Sequence, residues 1–91
     1  MIGVLVSGEG SNLQALLDAR LPVSAVASSR AGARALERAG AAGVAAAAFE
    51  LAEYSDRAQR DATMANWLQE QGVRLVVCAG YMQLLTPYFL E

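Results

Sequence analysis

The chain has 91 residues, 55% hydrophobic and 18% charged, with a net charge of −2. That length fits one small domain, and the composition excludes intrinsic disorder. Its seven basic residues are all arginines scattered along the chain, which argues against a nucleic-acid footprint, and no apolar run reaches the roughly 18 residues of a membrane span.

The elements follow in chain order. "IGVLVS", residues 2–7, reads as a buried strand bounded by glycine. "SNLQALLDAR", residues 11–20, reads as a helix with Ser11 or Asn12 near its cap and Leu13, Leu16 and Leu17 on one face. "VSAVASS", residues 23–29, is a second strand opened by Pro22. "AGARALERAGAAG", residues 31–43, is a second helix closed by Gly40 or Gly43. "VAAAAF", residues 44–49, is assigned as a third strand from its place between a glycine stop and a polar loop, although alanine prefers helix. "SDRAQRDATMANWLQEQG", residues 55–72, is the longest helix, capped by Ser55 and stopped by Gly72. Its expected buried face carries Ala58, Ala62, Ala65 and Leu68, beside Met64 and Trp67. "RLVVCAG", residues 74–80, is a fourth strand, and "TPYFLE" opens a further helix at Thr86 and Pro87.

Strands alternating with helices predict an α/β fold. It is a Rossmann-like, doubly wound parallel sheet of four strands with three to four helices. Much of the apolar content is alanine, so the core is expected to be thin for its length. Ligands in such folds bind outside the carboxyl ends of the strands, here residues 7–12, 28–30, 50–55 and 79–85. The start "MIGVLVSG" lacks the basic region of a secretory signal, and its apolar stretch is too short for one. The single cysteine, Cys78, cannot form an internal disulfide and is expected to be a buried, inert thiol in a cytoplasmic protein. The chain has no histidine, the usual acid/base at neutral pH.

The stretch "LVSGEGSNLQALL" passes from the first strand through two glycines into a helix. Gly8 and Gly10 permit close approach of backbone to ligand. The helix start offers free N–H groups and a positive dipole end, and Ser11 and Asn12 add side-chain donors. This favours a phosphate, with a plain strand-to-helix turn as the alternative. Leu13 stands where a dinucleotide fingerprint needs a third glycine, and the absence of lysine removes a Walker loop. A single phosphate on a small ligand remains. Ser28, Ser29 and Arg30 keep an NADP reading open, and Glu9 is expected to point to solvent.

"SGEGSNLQALL" after the first strand and "VVCAGYMQLLTP" after the fourth together resemble the folate-dependent glycinamide ribonucleotide formyltransferases of purine biosynthesis. Other 10-formyltetrahydrofolate enzymes share the second motif in weaker form. The resemblance spans residues 1–91 and implies the amino-terminal part of a single formyltransferase domain. It implies that Gly10, Ser11 and Asn12 bind the phosphate of glycinamide ribonucleotide. Tyr81, Met82, Gln83, Leu84 and Leu85 are implied to line the folate pocket for 10-formyltetrahydrofolate, the formyl donor. Arg57 aligns with a family arginine near the folate tail and substrate. Gln83 departs from the family, where arginine is common.

The asparagine, histidine and aspartate that such enzymes use for catalysis lie beyond the segment matched. The resemblance thus implies a chain truncated before its catalytic region, with no catalytic residue and no metal ligand. Asp56 and Asp61 stand near a helix start without an acid/base partner in the sequence. The 91-residue chain alone is expected to be inactive and to self-associate through an exposed sheet edge. The alternatives are a non-catalytic phosphate-binding or interaction module and half of an NADP-binding reductase. No nucleic-acid or membrane partner is expected.

Overall fold

The computed structural model of the chain describes residues 1–78. Strand β1 is Ile2–Val6, β2 is Val23–Ser28, β3 is Ala45–Ala48 and β4 is Leu75–Cys78. Helices α1 (Ser11–Asp18), α2 (Arg34–Ala41) and α3 (Arg57–Glu70) connect them in turn, with a short 3-10 turn at Leu51–Glu53. The four strands form one parallel sheet in the order β3-β2-β1-β4. The α/β class and the alternation of elements are those expected from the sequence. Ala79, Gly80 and the helix expected from Thr86 lie outside the described residues.

The strand order decides which face each helix covers. Steps from β1 to β2 to β3 run one way, and the step from β3 to β4 returns past β1. Right-handed crossovers therefore put α1 and α2 on one face and α3 on the other. The core divides accordingly. Val4, Val6, Val23 and Val26 pack against Leu13 of α1 and Ala35 and Ala39 of α2. Leu5, Ala25, Ala27 and Phe49 pack against Met64 and Leu68 of α3. Val23 shares a face with Val26 because the pairing slips between Ile2 and Gly3, so that Ile2 meets Val23 but Gly3 meets Ala25. The inserted Ser24 flips the side-chain alternation, as a bulge does. Five of the buried core residues, at positions 25, 27, 33, 35 and 39, are alanine, which lets the helices lie close to the sheet at little area per residue.

Strand β3 is four alanines, yet it pairs along β2 from Ala25↔Ala45 to Ser28↔Ala48. Tertiary pairing overrides helix propensity here, after Gly43 at φ 73° has ended α2. Helix α3 differs from expectation in two respects. Its cap is Asp56, whose carboxylate accepts from the Gln59 N–H at 2.8 Å, while Ser55 contacts the Gln59 side chain instead. A carboxylate is the better acceptor at the positive end of a helix. Its buried face also carries Arg60, Asp61, Met64 and Leu68 rather than the alanine series; Ala58 is exposed and Ala62, Ala65 and Trp67 are half-buried. Met64 and Leu68 bury more apolar area than alanines would. Arg60 Nε and Asp61 Oδ1, both fully buried, satisfy one another at 2.6 Å. Cys78 is exposed rather than buried, because β4 has a neighbour only on its β1 side among the described residues. Leu75 and Val76 on the same strand are also exposed.

Candidate functional site

A sheet that winds outward in both directions from β1 opens a crevice where the order reverses, between the carboxyl ends of β1 and β4. The loop of residues 7–10 leaves β1 at that point and turns directly into α1. Gly10 is the N-cap of α1, in the left-handed region at φ 81° and ψ 22°. A Cβ there would lie 2.7 Å from both Cα and Cβ of Ala35, so this position requires glycine twice, for its dihedrals and for its contact with α2. Gly8 is different: a Cβ on it would meet no atom within 4 Å. Nothing in the described fold requires glycine at position 8, which leaves room at the backbone for a ligand.

Ser11 and Asn12 stand near the cap of α1, as expected, but neither is the N-cap itself. They are its first two helical residues, both exposed, and the helix has no side-chain cap. Gly10 takes the N-cap because its left-handed backbone makes the turn. The Ser11 and Asn12 side chains are consequently not engaged by their own helix. Among the described residues, the N–H groups of Glu9, Gly10, Ser11, Asn12 and Leu13 have no hydrogen-bond acceptor, and the helical ladder begins at Gln14 N–H to Gly10 O, 2.8 Å. Consecutive free donors at a helix start form an anion cradle.

Helix α2 supports this loop from behind. The Ala35 N–H donates to Gly8 O at 3.2 Å, supplying a partner for the first turn of a helix whose N-cap, Ala33, has no side-chain oxygen. Arg38 Nε donates to Glu9 O at 2.8 Å and Arg38 Nη1 to Gln14 Oε1 at 3.3 Å. The Glu9 side chain points to solvent, as expected, and meets Arg34 at 3.6 Å. Both partners are largely exposed, so that pair contributes little. The groove between α1 and α2 lined by Gln14, Arg34, Glu37, Arg38 and Ala41 is open and charged, and Arg38 turns its donors onto the loop.

Ser28 ends β2, and Ser29 and Arg30 follow it. The Ser28 hydroxyl accepts from Arg30 N–H at 3.0 Å and donates to Arg30 O at 2.9 Å. Ser29 Oγ is hydrogen-bonded to Ser7 Oγ at 2.9 Å in the interior. Both serine hydroxyls are buried and internally paired, so only Arg30 would remain to meet a 2′-phosphate. Arg57 is the exposed first residue of α3, on the opposite face of the sheet from α1, and no hydrogen bond or ion pair joins it to the Gly10 loop among the described residues. Tyr81, Met82, Gln83, Leu84 and Leu85 lie outside the described residues. Two features escaped sequence reading. Asp61 has a buried partner in Arg60, and Arg38 reaches the loop. The second had no sign in the sequence, because the packing of Ala35 against Gly10 that brings Arg38 to the loop is a tertiary contact.

A family model for the formyl transferases matches residues 1–91. The chain belongs to the formyl transferase family. The phosphoribosylglycinamide formyltransferase of Haemophilus influenzae is 38% identical over 99% of this chain and 45% of its own length. The solved glycinamide ribonucleotide transformylase 1 of Symbiobacterium toebii is 49% identical, with a TM-score of 0.86, covering 93% of this chain and 43% of that one. The phosphoribosylglycinamide formyltransferase structure from Streptococcus pneumoniae is 40% identical with a TM-score of 0.91, covering 98% and 49%. This formyl transferase chain thus spans about half the length of the relatives it matches. Among its described residues no helix is long and apolar enough to cross a membrane, and no cluster of three metal-ligating side chains occurs.

Proposed function

We propose that this chain supplies the substrate-binding half of a glycinamide ribonucleotide formyltransferase. The observation that carries the reading is the run of N–H groups from Glu9 to Leu13, unbonded among the described residues, at the crevice beside β1. The phosphate of glycinamide ribonucleotide is held by the N–H groups of Gly10, Ser11 and Asn12, with the Ser11 hydroxyl and Asn12 amide as side-chain donors. Gly8 permits the close approach. 10-Formyltetrahydrofolate is held against Tyr81, Met82, Gln83, Leu84 and Leu85, with Arg57 toward its tail or the substrate. In the reaction, the substrate amine attacks the formyl carbon, the carbon–nitrogen bond to folate breaks, and the proton lost by the amine ends on the departing folate nitrogen. That step needs an oxyanion donor and a proton acceptor. The chain holds no histidine, and the family resemblance assigns neither group to residues 1–91.

The protein acts in the cytoplasm. In isolation it self-associates through the outer edge of β4, where Leu75 and Val76 are exposed. Calorimetric titration with glycinamide ribonucleotide, the riboside lacking phosphate, and NADP tests the binding role. Saturable binding of the ribonucleotide alone is the expected result. Equal binding of the riboside, or preference for NADP, would refute it.

A further inference from the structure

We propose that Arg38 is a positioning residue for phosphate binding: from α2 it fixes the peptide plane between Glu9 and Gly10 so that the loop's N–H groups converge on the anion. This deepens, and rests on, the assignment of the loop to the substrate phosphate. In a trans peptide the carbonyl and the N–H point in opposite directions. Arg38 Nε holds the Glu9 carbonyl toward α2 at 2.8 Å, so the Gly10 N–H of the same peptide points away from α2. The Ala35 N–H does the same to the Gly8 carbonyl at 3.2 Å, which turns the Glu9 N–H the same way. The two planes are thereby aligned with the free donors at the start of α1.

The other arm of Arg38 ties this arrangement to α1. Nη1 donates to Gln14 Oε1 at 3.3 Å, in the first turn of the helix that carries Ser11 and Asn12. One planar guanidinium thus links the loop carbonyl and the helix, a geometry that a lysine ammonium does not reproduce. Arg38 reaches the back of the loop, on the side of the carbonyls. Its role is to orient donors, and the anion sits on the opposite side of the peptide planes. Among the described residues no other side chain bonds the Glu9 carbonyl.

The test compares the wild-type chain with Arg38→Met, Arg38→Lys and Gln14→Leu. Two quantities are read: backbone ¹⁵N order parameters at Glu9 and Gly10, and affinity for glycinamide ribonucleotide and for inorganic phosphate. Arg38→Met should lower the order parameters from about 0.85 toward 0.6 and weaken both ligands about tenfold. Arg38→Lys should restore neither, and Gln14→Leu should show a smaller loss of both, which keeps the test valid if the Arg38 variants fold poorly. Wild-type affinity in Arg38→Lys would mean a charge contact and overturn the positioning role. Unchanged order and affinity in Arg38→Met would also overturn it, as would lost order with unchanged affinity, which places the phosphate elsewhere. A wild-type chain that binds neither ligand, with order still lost in Arg38→Met, would contradict the substrate assignment while supporting Arg38 as the residue that orders the loop.

Discussion

At the scale of single residues, Gly8, Gly10 and Asn12 make three separable demands. Gly10 is required by the fold: its φ of 81° and the 2.7 Å approach of Ala35 forbid a side chain. Gly10→Ala should lower stability by about 2 kcal/mol or more, read as the urea midpoint. Gly8→Ala meets no atom within 4 Å, so the same denaturation curve should be nearly unchanged. If position 8 serves the ligand, that substitution should nonetheless weaken ribonucleotide binding; a Gly8→Ala chain that binds normally would contradict this. Asn12→Leu, at an exposed position, should weaken binding about tenfold with little change in melting temperature. The identity of the loop residues was legible because glycine and the asparagine–serine pair have few roles at a strand-to-helix turn. Their division of labour was not, since residue type alone does not say which of Gly10, Ser11 and Asn12 holds the N-cap.

At the scale of elements, helix ends explain where reading from sequence succeeded and where it failed. Gly43 and Gly72 close α2 and α3 with positive φ, as the sequence implied. Helix α1 closes without glycine: Arg20 sits at φ 58°, with its N–H on Leu17 O at 3.0 Å and Leu21 N–H on Leu16 O at 3.3 Å. This paired closure usually takes glycine. Arg20→Gly should therefore stabilise the chain by up to about 1 kcal/mol; a lower melting temperature would refute this. The face of α3 was legible only in part: Met64 and Leu68 are buried as expected, but the charged pair beside them has no apolar signature. Arg60 and Asp61 are buried together at 2.6 Å on the helix that also carries Met64 and Leu68 of the core. Removing one partner breaks this buried ion pair. Arg60→Met and Asp61→Leu should each cost about 3 kcal/mol or more in chemical denaturation, with the double variant losing less than the sum.

At the scale of the whole molecule, alternation of strands and helices revealed the parallel sheet, but not the order β3-β2-β1-β4. That order is a long-range fact, and it is what puts the Gly10 loop at the reversal point. It also explains Cys78 and Val76: a run as apolar as "LVVC" reads as buried, yet β4 lies at the edge of the described sheet. The isolated chain should sediment as more than a monomer, and a homogeneous monomer across concentrations would contradict association through that edge. The central claim is that the phosphate of glycinamide ribonucleotide sits on the start of α1. The most direct measurement is the change in backbone amide chemical shifts on titrating the 91-residue chain with that ribonucleotide. The largest shifts should fall on Gly10, Ser11, Asn12 and Leu13 and should be absent with the unphosphorylated riboside. Shifts centred instead on Ser28, Ser29 and Arg30, or the same pattern without the phosphate, would contradict the account.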